Sequence, residues 1–327
     1  MEANRQTIIS LPNNASIHAM RSYLAANEFF PTAPSSLVLR FNPRFSFMQP
    51  FVAAMLAAWG HYWSKKAVPI ACENVNVRGI DYATRMRLFD YLPEDPGRGV
   101  REHESSGRFI PITKLESSDD VRQFVTDVIP MLHSSSADHV DAVAYCLSEL
   151  TRNVIEHAGR TPAFACAQYY ERPGKVSIGV ADCGIGVRAS LSSSYSFSSD
   201  ADAIIAAMRP GVSGSTPVMY GSPENAGAGL FFTKSIAYLS GGYFSLHSGS
   251  AAYRLRRRAA NSGSIPNIEP TDDRHDIYAA LPYWQGTVVA VDIESNPSVA
   301  FEAVMKQIRE AYAGPRKGRP RPPIRFT

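Results

Sequence analysis

The chain has 327 residues, 45% of them hydrophobic and 19% charged, the composition of a soluble globular protein with enough length for two cores. Its longest apolar stretch, Phe51 to Trp59, is too short to span a bilayer, and no apolar secretory core follows Met1, so a cytoplasmic protein without a membrane segment is expected. The net charge is +3, but Arg316, Lys317, Arg319, Arg321 and Arg325 place +5 in residues 316–327, which leaves about −2 on residues 1–315 and argues against a nucleic-acid surface there.

Residues 1–110 read as a small α/β unit. Ser36–Phe41 is a predicted strand, Met48 to Trp63 an alanine-rich helix with Pro50 in its first turn, Pro69–Glu73 a second strand and Tyr82 to Tyr91 a second helix. Gly97–Gly107 is the best linker. Residues 111–313 form the second unit, and 314–327 a Pro/Arg-rich tail too charged and proline-rich to pack.

In the second unit, Asp119 to His133 reads as a helix. A stronger helix begins at Asp138, a candidate N-cap, with Val140, Val143, Ala144, Leu147, Leu150 and Val154 at spacings of three and four. Glu149, Asn153, Glu156 and His157 fall off that stripe. Ala163–Tyr170 and Lys175–Asp182 are predicted strands, the latter with alternating Val176, Ile178 and Val180. Residues 187–226 are Ser- and Gly-rich with one short helix at 201–208, a pattern of lids and binding loops. Gly229–Leu239 is a helix, Tyr243–Ser248 and Ala252–Arg256 are paired strands, and Asn261 to Asp276 is a polar insertion. Gly286–Asp292 is the last core strand and Val299–Tyr312 a closing helix. Cys72, Cys146, Cys166 and Cys183 lack CxxC spacing and read as reduced core residues.

Three short segments carry chemistry. Glu149 and Asn153, four apart on one helix face, can hold a metal ion and a water, although such a pair is also an ordinary exposed face. Asp182 ends a strand before Cys183-Gly184-Ile185-Gly186, where a carboxylate can accept a hydrogen bond from a nucleobase amine. The same residues also suit a plain turn. Gly227-Ala-Gly229-Leu230 enters a helix whose free N–H groups suit phosphate, and Lys234 one turn on is either a further charge or a solvated lysine. Neither a P-loop nor a Rossmann fingerprint is present.

In this order the segments resemble the N, G1 and G2 boxes of the GHKL superfamily, the Bergerat-fold ATP-binding domain of gyrase, the heat-shock chaperone, histidine kinases and the MutL mismatch protein. The resemblance covers about residues 119–295. It implies a two-layer α/β sandwich with a mixed sheet covered by helices, beside the smaller N-terminal α/β domain. It also implies ATP and Mg²⁺ as ligands. Asn153 would hold the metal and Glu149 would act on the attacking water. Asp182, supported by Thr287, would read adenine within a pocket shaped by Gly184, Ile185 and Gly186. Gly227, Gly229 and Leu230 would cap the phosphates, and residues 187–226 would be the ATP lid. His157 matches the histidine that ends this box in histidine-kinase and anti-sigma-factor branches, and it equally suits a helix C-terminus. The N-terminal unit resembles a STAS domain in its strand–helix order and in Tyr82–Phe89. No phosphoacceptor helix pair is read in residues 1–110.

The implied function is an ATP-dependent switch with slow hydrolysis acting on a protein partner, in a chain that can form a homodimer. The alternatives are a serine protein kinase of the anti-sigma-factor kind and a non-catalytic nucleotide-binding module. A nucleic-acid partner is not expected.

Overall fold

The computed structural model describes residues 6–93, 108–134, 137–157, 161–172, 174–210, 212, 229–257 and 266–294, with the backbone alone at 138 and 154–157. In chain order the first half comprises β1 (Gln6–Leu11), β2 (Asn14–Ala15), α1 (Met20–Ala25), β3 (Ser36–Phe41), β4 (Phe47–Met48), α2 (Pro50–Lys65), β5 (Ile70–Glu73) and α3 (Ile80–Arg85). The second half comprises β6 (Phe109–Leu115), α4 (Ser118–Val128), α5 (Ala137–His157), β7 (Ala163–Tyr170), β8 (Lys175–Asp182), α6 (Gly186–Leu191), α7 (Asp200–Ala207), α8 (Gly229–Leu239), β9 (Phe244–Gly249), β10 (Ala251–Leu255), β11 (His275–Tyr278) and β12 (Trp284–Glu294). No described helix is long and apolar enough to cross a membrane.

The architecture is α/β, built on a large sheet of seven strands ordered β11-β10-β9-β12-β8-β7-β6. The expected mixed sheet is corrected here, because every pairing in this sheet is antiparallel. Parallel pairing is confined to β1-β3-β5 and to the short β2-β4 pair. Strand order and direction depend on partners far apart in sequence, which local patterning does not report.

Alternation along each strand divides the large sheet into two faces. Phe164, Cys166, Ala181, Cys183, Val288 and Ala290 join one apolar cluster with α2 and the inner residues of β1 and β3. Ala163, Ala165, Val176, Ile178, Val180, Val289 and Val291 join another with α4, α5 and α8. The chain thus stacks a small parallel sheet, α2, the large sheet and a helical layer.

Helix α2 is the hinge of this arrangement. Pro50 at its first position needs no N–H donor, and Gln49 before it is extended. Its residues from Pro50 to Gly60 are all buried, as in a helix enclosed on every side. Trp59 and Trp63 both donate their indole N–H to the Phe29 carbonyl, at 2.8 and 3.1 Å, which satisfies two buried donors on one acceptor. Gly179 of β8 lets the helix entrance lie directly on the sheet, because any Cβ there would overlap the Phe51 backbone.

Two predicted helices are shorter than expected. The one expected over Tyr82 to Tyr91 stops at Arg85, and Arg87 takes a left-handed φ of 60° before a 3-10 turn over Leu88–Asp90. The one expected over Asp119 to His133 is α4 followed by a 3-10 turn, Ile129–Leu132, since Pro130 has no N–H to continue it. Helix 299–312 and the tail lie outside the described residues.

Candidate functional site

Asp182 follows Val180 by one strand period, Thr287 precedes Val289 by one, and Ser248 follows Leu246 by one, so all three face the helical layer. Thr287 and Ser248 are opposite each other in the β12–β9 register, and the Thr287 N–H is directed at the Asp182 carboxylate. The three therefore form a row across one end of β8, β12 and β9.

The turn after β8 folds back on that row. The Gly184 N–H donates to Asp182 Oδ1 at 2.6 Å. Ser248 Oγ accepts from the Val187 N–H at 2.9 Å and donates to the Gly286 carbonyl at 2.7 Å, which ties the start of α6 to the start of β12. Gly286 has φ +99°, and a Cβ on it would fall 2.6 Å from both Asp182 Oδ1 and the Gly184 nitrogen. Only glycine lets the two turns pack this closely. Gly186 is also left-handed, at φ +76°.

Asp182 is 2% exposed. Burial pushes its carboxyl up to about 7, offset in part by the Gly184 and Thr287 N–H groups. A buried carboxyl that titrates near neutrality is a candidate acceptor for a ligand that donates to it. Beyond it, Ile185 is 46% exposed, an apolar side chain at the rim of the turn.

The other predicted residues sit where α5 meets α8. A Cβ added to Gly229 would fall 2.5 Å from Asn153 Nδ2 and 3.2 Å from Glu149 Cβ, so the entrance of α8 lies against that pair. Asn153 is half-buried. Glu149 is buried, not on an open helix face, and is paired with the Arg152 guanidinium one turn along. Leu230 is half-buried between the helical-layer core and the α6–α7 core. The structure therefore brings the first and third segments of the motif set together, Glu149 and Asn153 against Gly229, on the side of the sheet that Asp182 of the second segment faces. Gly227 and the His157 side chain lie outside the described residues.

Among the described residues no cluster of three or more His, Cys, Asp or Glu could hold a metal by itself. Asn153 and Glu149 offer an amide and a carboxylate. Mg²⁺ commonly binds with few protein ligands and takes its other oxygens from phosphate and water, so this donor set fits a metal that arrives with a nucleotide.

Several features escaped the sequence. The first part of the supposed lid is docked structure: α6 and α7 share an apolar core of Val187, Leu191, Phe197, Ala203 and Ala206. Helix α7 starts in a Ser199/Asp202 capping box, and Asp200 accepts from the Ser250 N–H and Oγ, both at 2.8 Å. The short helix expected at 201–208 is α7, and the Ser-x-x-Asp spacing at 199–202 marks its start. Residues 213–228 lie outside the described residues.

Lys234 is neither solvated nor aimed at the phosphate end. Its ammonium is fully buried, paired with the equally buried Asp273, and donates to the Asn267 carbonyl at 3.2 Å. Asp273 belongs to the predicted polar insertion, whose last residues also form β11. No protein-family model and no curated protein matches the chain.

Proposed function

We propose that the chain binds ATP with Mg²⁺ on the helical side of the large sheet and uses the bound state as a slow switch on a protein partner. One observation carries this reading: a buried carboxylate, Asp182, stands in the row Asp182–Thr287–Ser248, held by the Gly184 and Thr287 N–H groups at the turn that Gly286 packs against. In this reading Asp182 accepts the exocyclic amine of adenine, and Gly184, Ile185 and Gly186 form the wall against the base. Thr287 supports Asp182 through its N–H. Asn153 holds the metal by its amide oxygen, and the α8 entrance at Gly229 and Leu230 presents its N–H groups to phosphate. The nucleotide and its metal supply the charge and the scissile anhydride.

Glu149 is the base candidate, but its carboxylate already pairs with Arg152. A carboxylate held by a guanidinium is committed to that pair and is not aimed at a water. That specific contact favours binding with very slow or no turnover, and so keeps the non-catalytic nucleotide-binding module in view as the second reading.

Calorimetric titration of ATP, ADP and a non-hydrolysable analogue with Mg²⁺, run beside phosphate release, tests both. Saturable binding that Asn153→Ala abolishes in a folded protein is the expected result. Release that stops in Glu149→Gln marks the switch, and binding without release marks the module. Absence of binding by all three nucleotides would refute the proposal.

A further inference from the structure

A cavity lies on the opposite side of the molecule's central strands from Asp182, where the end of α2 meets the start of β12. Its volume is about 440 Å³, within the range of small-molecule sites, roughly 300–1,000 Å³. Phe30, Tyr62, Trp63 and Tyr283 supply aromatic wall, and Lys66 and Gln285 supply the polar groups. No carboxylate is among the described residues that line it.

The aromatic wall is ordered. Phe30 stands edge-on to Tyr62, with ring centres 5.1 Å apart, and stacks on Trp63 at 6.0 Å. The Trp63 indole N–H is already satisfied by the Phe29 carbonyl, so its orientation is fixed. The Lys66 ammonium lies 4.6 Å from the Tyr62 ring centre and 5.8 Å from that of Trp63. Tyr283 opposite is 49% exposed, a large apolar ring left facing solvent.

Backbone strain gathers at the same place. Ala33, in the cavity wall, has φ 45°, and Ala67, between the wall residues Lys66 and Val68, has φ 55°. A left-handed alanine is strained and persists where the surroundings impose it, which functional clefts often do. Two such residues bracket this one.

We propose that this cavity is a binding site for a planar aromatic anion. The rings offer faces and edges to a flat hydrophobic body, and Lys66 gives the only charge among the described lining residues, a cation. A neutral apolar ligand would leave that ammonium unused, and a cationic one would be repelled by it. The site is independent of nucleotide binding at Asp182, although Gln285 joins the two: it lines the cavity and its side-chain amide donates to the Gly184 carbonyl.

The test uses the full chain and two fluorescent probes of similar shape, anionic 8-anilinonaphthalene-1-sulfonate and neutral N-phenyl-1-naphthylamine. Saturable one-site binding of the anion is expected. Lys66→Gln should weaken the anion about fivefold, the scale of a partly screened ion pair, and leave the neutral probe unchanged. Tyr283→Ala should weaken both. Both side chains are solvent-facing, and circular dichroism checks that the variants stay folded. Fluorescence that rises without saturation, or affinities that neither substitution moves, would overturn the assignment.

Discussion

Replacing Asp182 by Asn separates the cost of a buried charge from the use of that charge. In an unfolded chain the carboxyl titrates near 3.9, and in the fold burial pushes it up to about 7. The folded state therefore holds the proton longer than the unfolded state does. Between those values the unfolded chain ionises first, so this group's contribution to stability is intact below about pH 3.9. It falls as the pH rises and is lost once the pH passes about 7. The full gap of about 3 pH units corresponds to about 4 kcal/mol at 1.36 kcal/mol each, and relaxation around the site makes about 2–3 kcal/mol the reasonable yield between pH 4.5 and 8. Asparagine keeps an oxygen for the Gly184 N–H and never ionises. Urea unfolding of both proteins at several pH values in that interval reads the effect, and the difference between them cancels every other titrating group. Asp182→Asn should gain on the parent by about 2–3 kcal/mol on going from pH 4.5 to 8. A stability difference that does not change with pH would refute the burial argument. In the proposed function the same variant should lose nucleotide affinity, since the amide presents no anion to the base.

The remaining predictions concern buried structure. Lys234→Met should destabilise by about 3–5 kcal/mol, because it strands the Asp273 carboxylate in a fully buried position, and Lys234→Met with Asp273→Leu should recover most of the loss. Chemical denaturation of the single and double variants decides this, and additive losses would show that the pair is not the cause. Gly179→Val should cost about 3 kcal/mol or more by forcing β8 off the Phe51 backbone. Loss of near-ultraviolet dichroism from Trp59 and Trp63 would report the displaced α2, and an unchanged melting temperature would count against the close approach.

Sequence reasoning located what depends on local pattern. The apolar stripe of α5 and the alternation Val176, Ile178, Val180 set those elements with almost their observed ends, and Ser36–Phe41 is β3 to the residue. It could not show that Glu149 is buried against Arg152, because a four-residue spacing fixes a helix face without saying what covers it. Lys234 escaped for the same reason: its partner is 39 residues away in a polar stretch that reads as a surface insertion. Strands β1, β6 and β11 went unpredicted because their residues are only partly apolar and gain their strand character from a neighbour. Helix α6 was hidden inside a Ser-rich run, where composition signals a loop unless a capping residue and an apolar contact such as Val187 or Leu191 intervene.

The two faces of the large sheet give its middle strands two tasks at once. In β8, Val180 and Asp182 face the helical layer, while Ala181 and Cys183 pack into the cluster built around α2. In β12 the same alternation sends Thr287 toward Asp182 and Val288 toward α2. Trp284 ties the sides together, its buried indole donating to the Asp182 carbonyl at 3.1 Å while its ring meets Phe29 and Phe30 edge-on. A shift of the Phe30 loop is therefore a shift of the partner that holds the Asp182 backbone. Close-packed interiors transmit such displacements instead of absorbing them. The aromatic cavity and the carboxylate lie on opposite faces of one strand pair, and Gln285, which lines the first, and Trp284, which packs on Phe30 of that lining, both donate to backbone carbonyls of the Asp182–Gly184 turn.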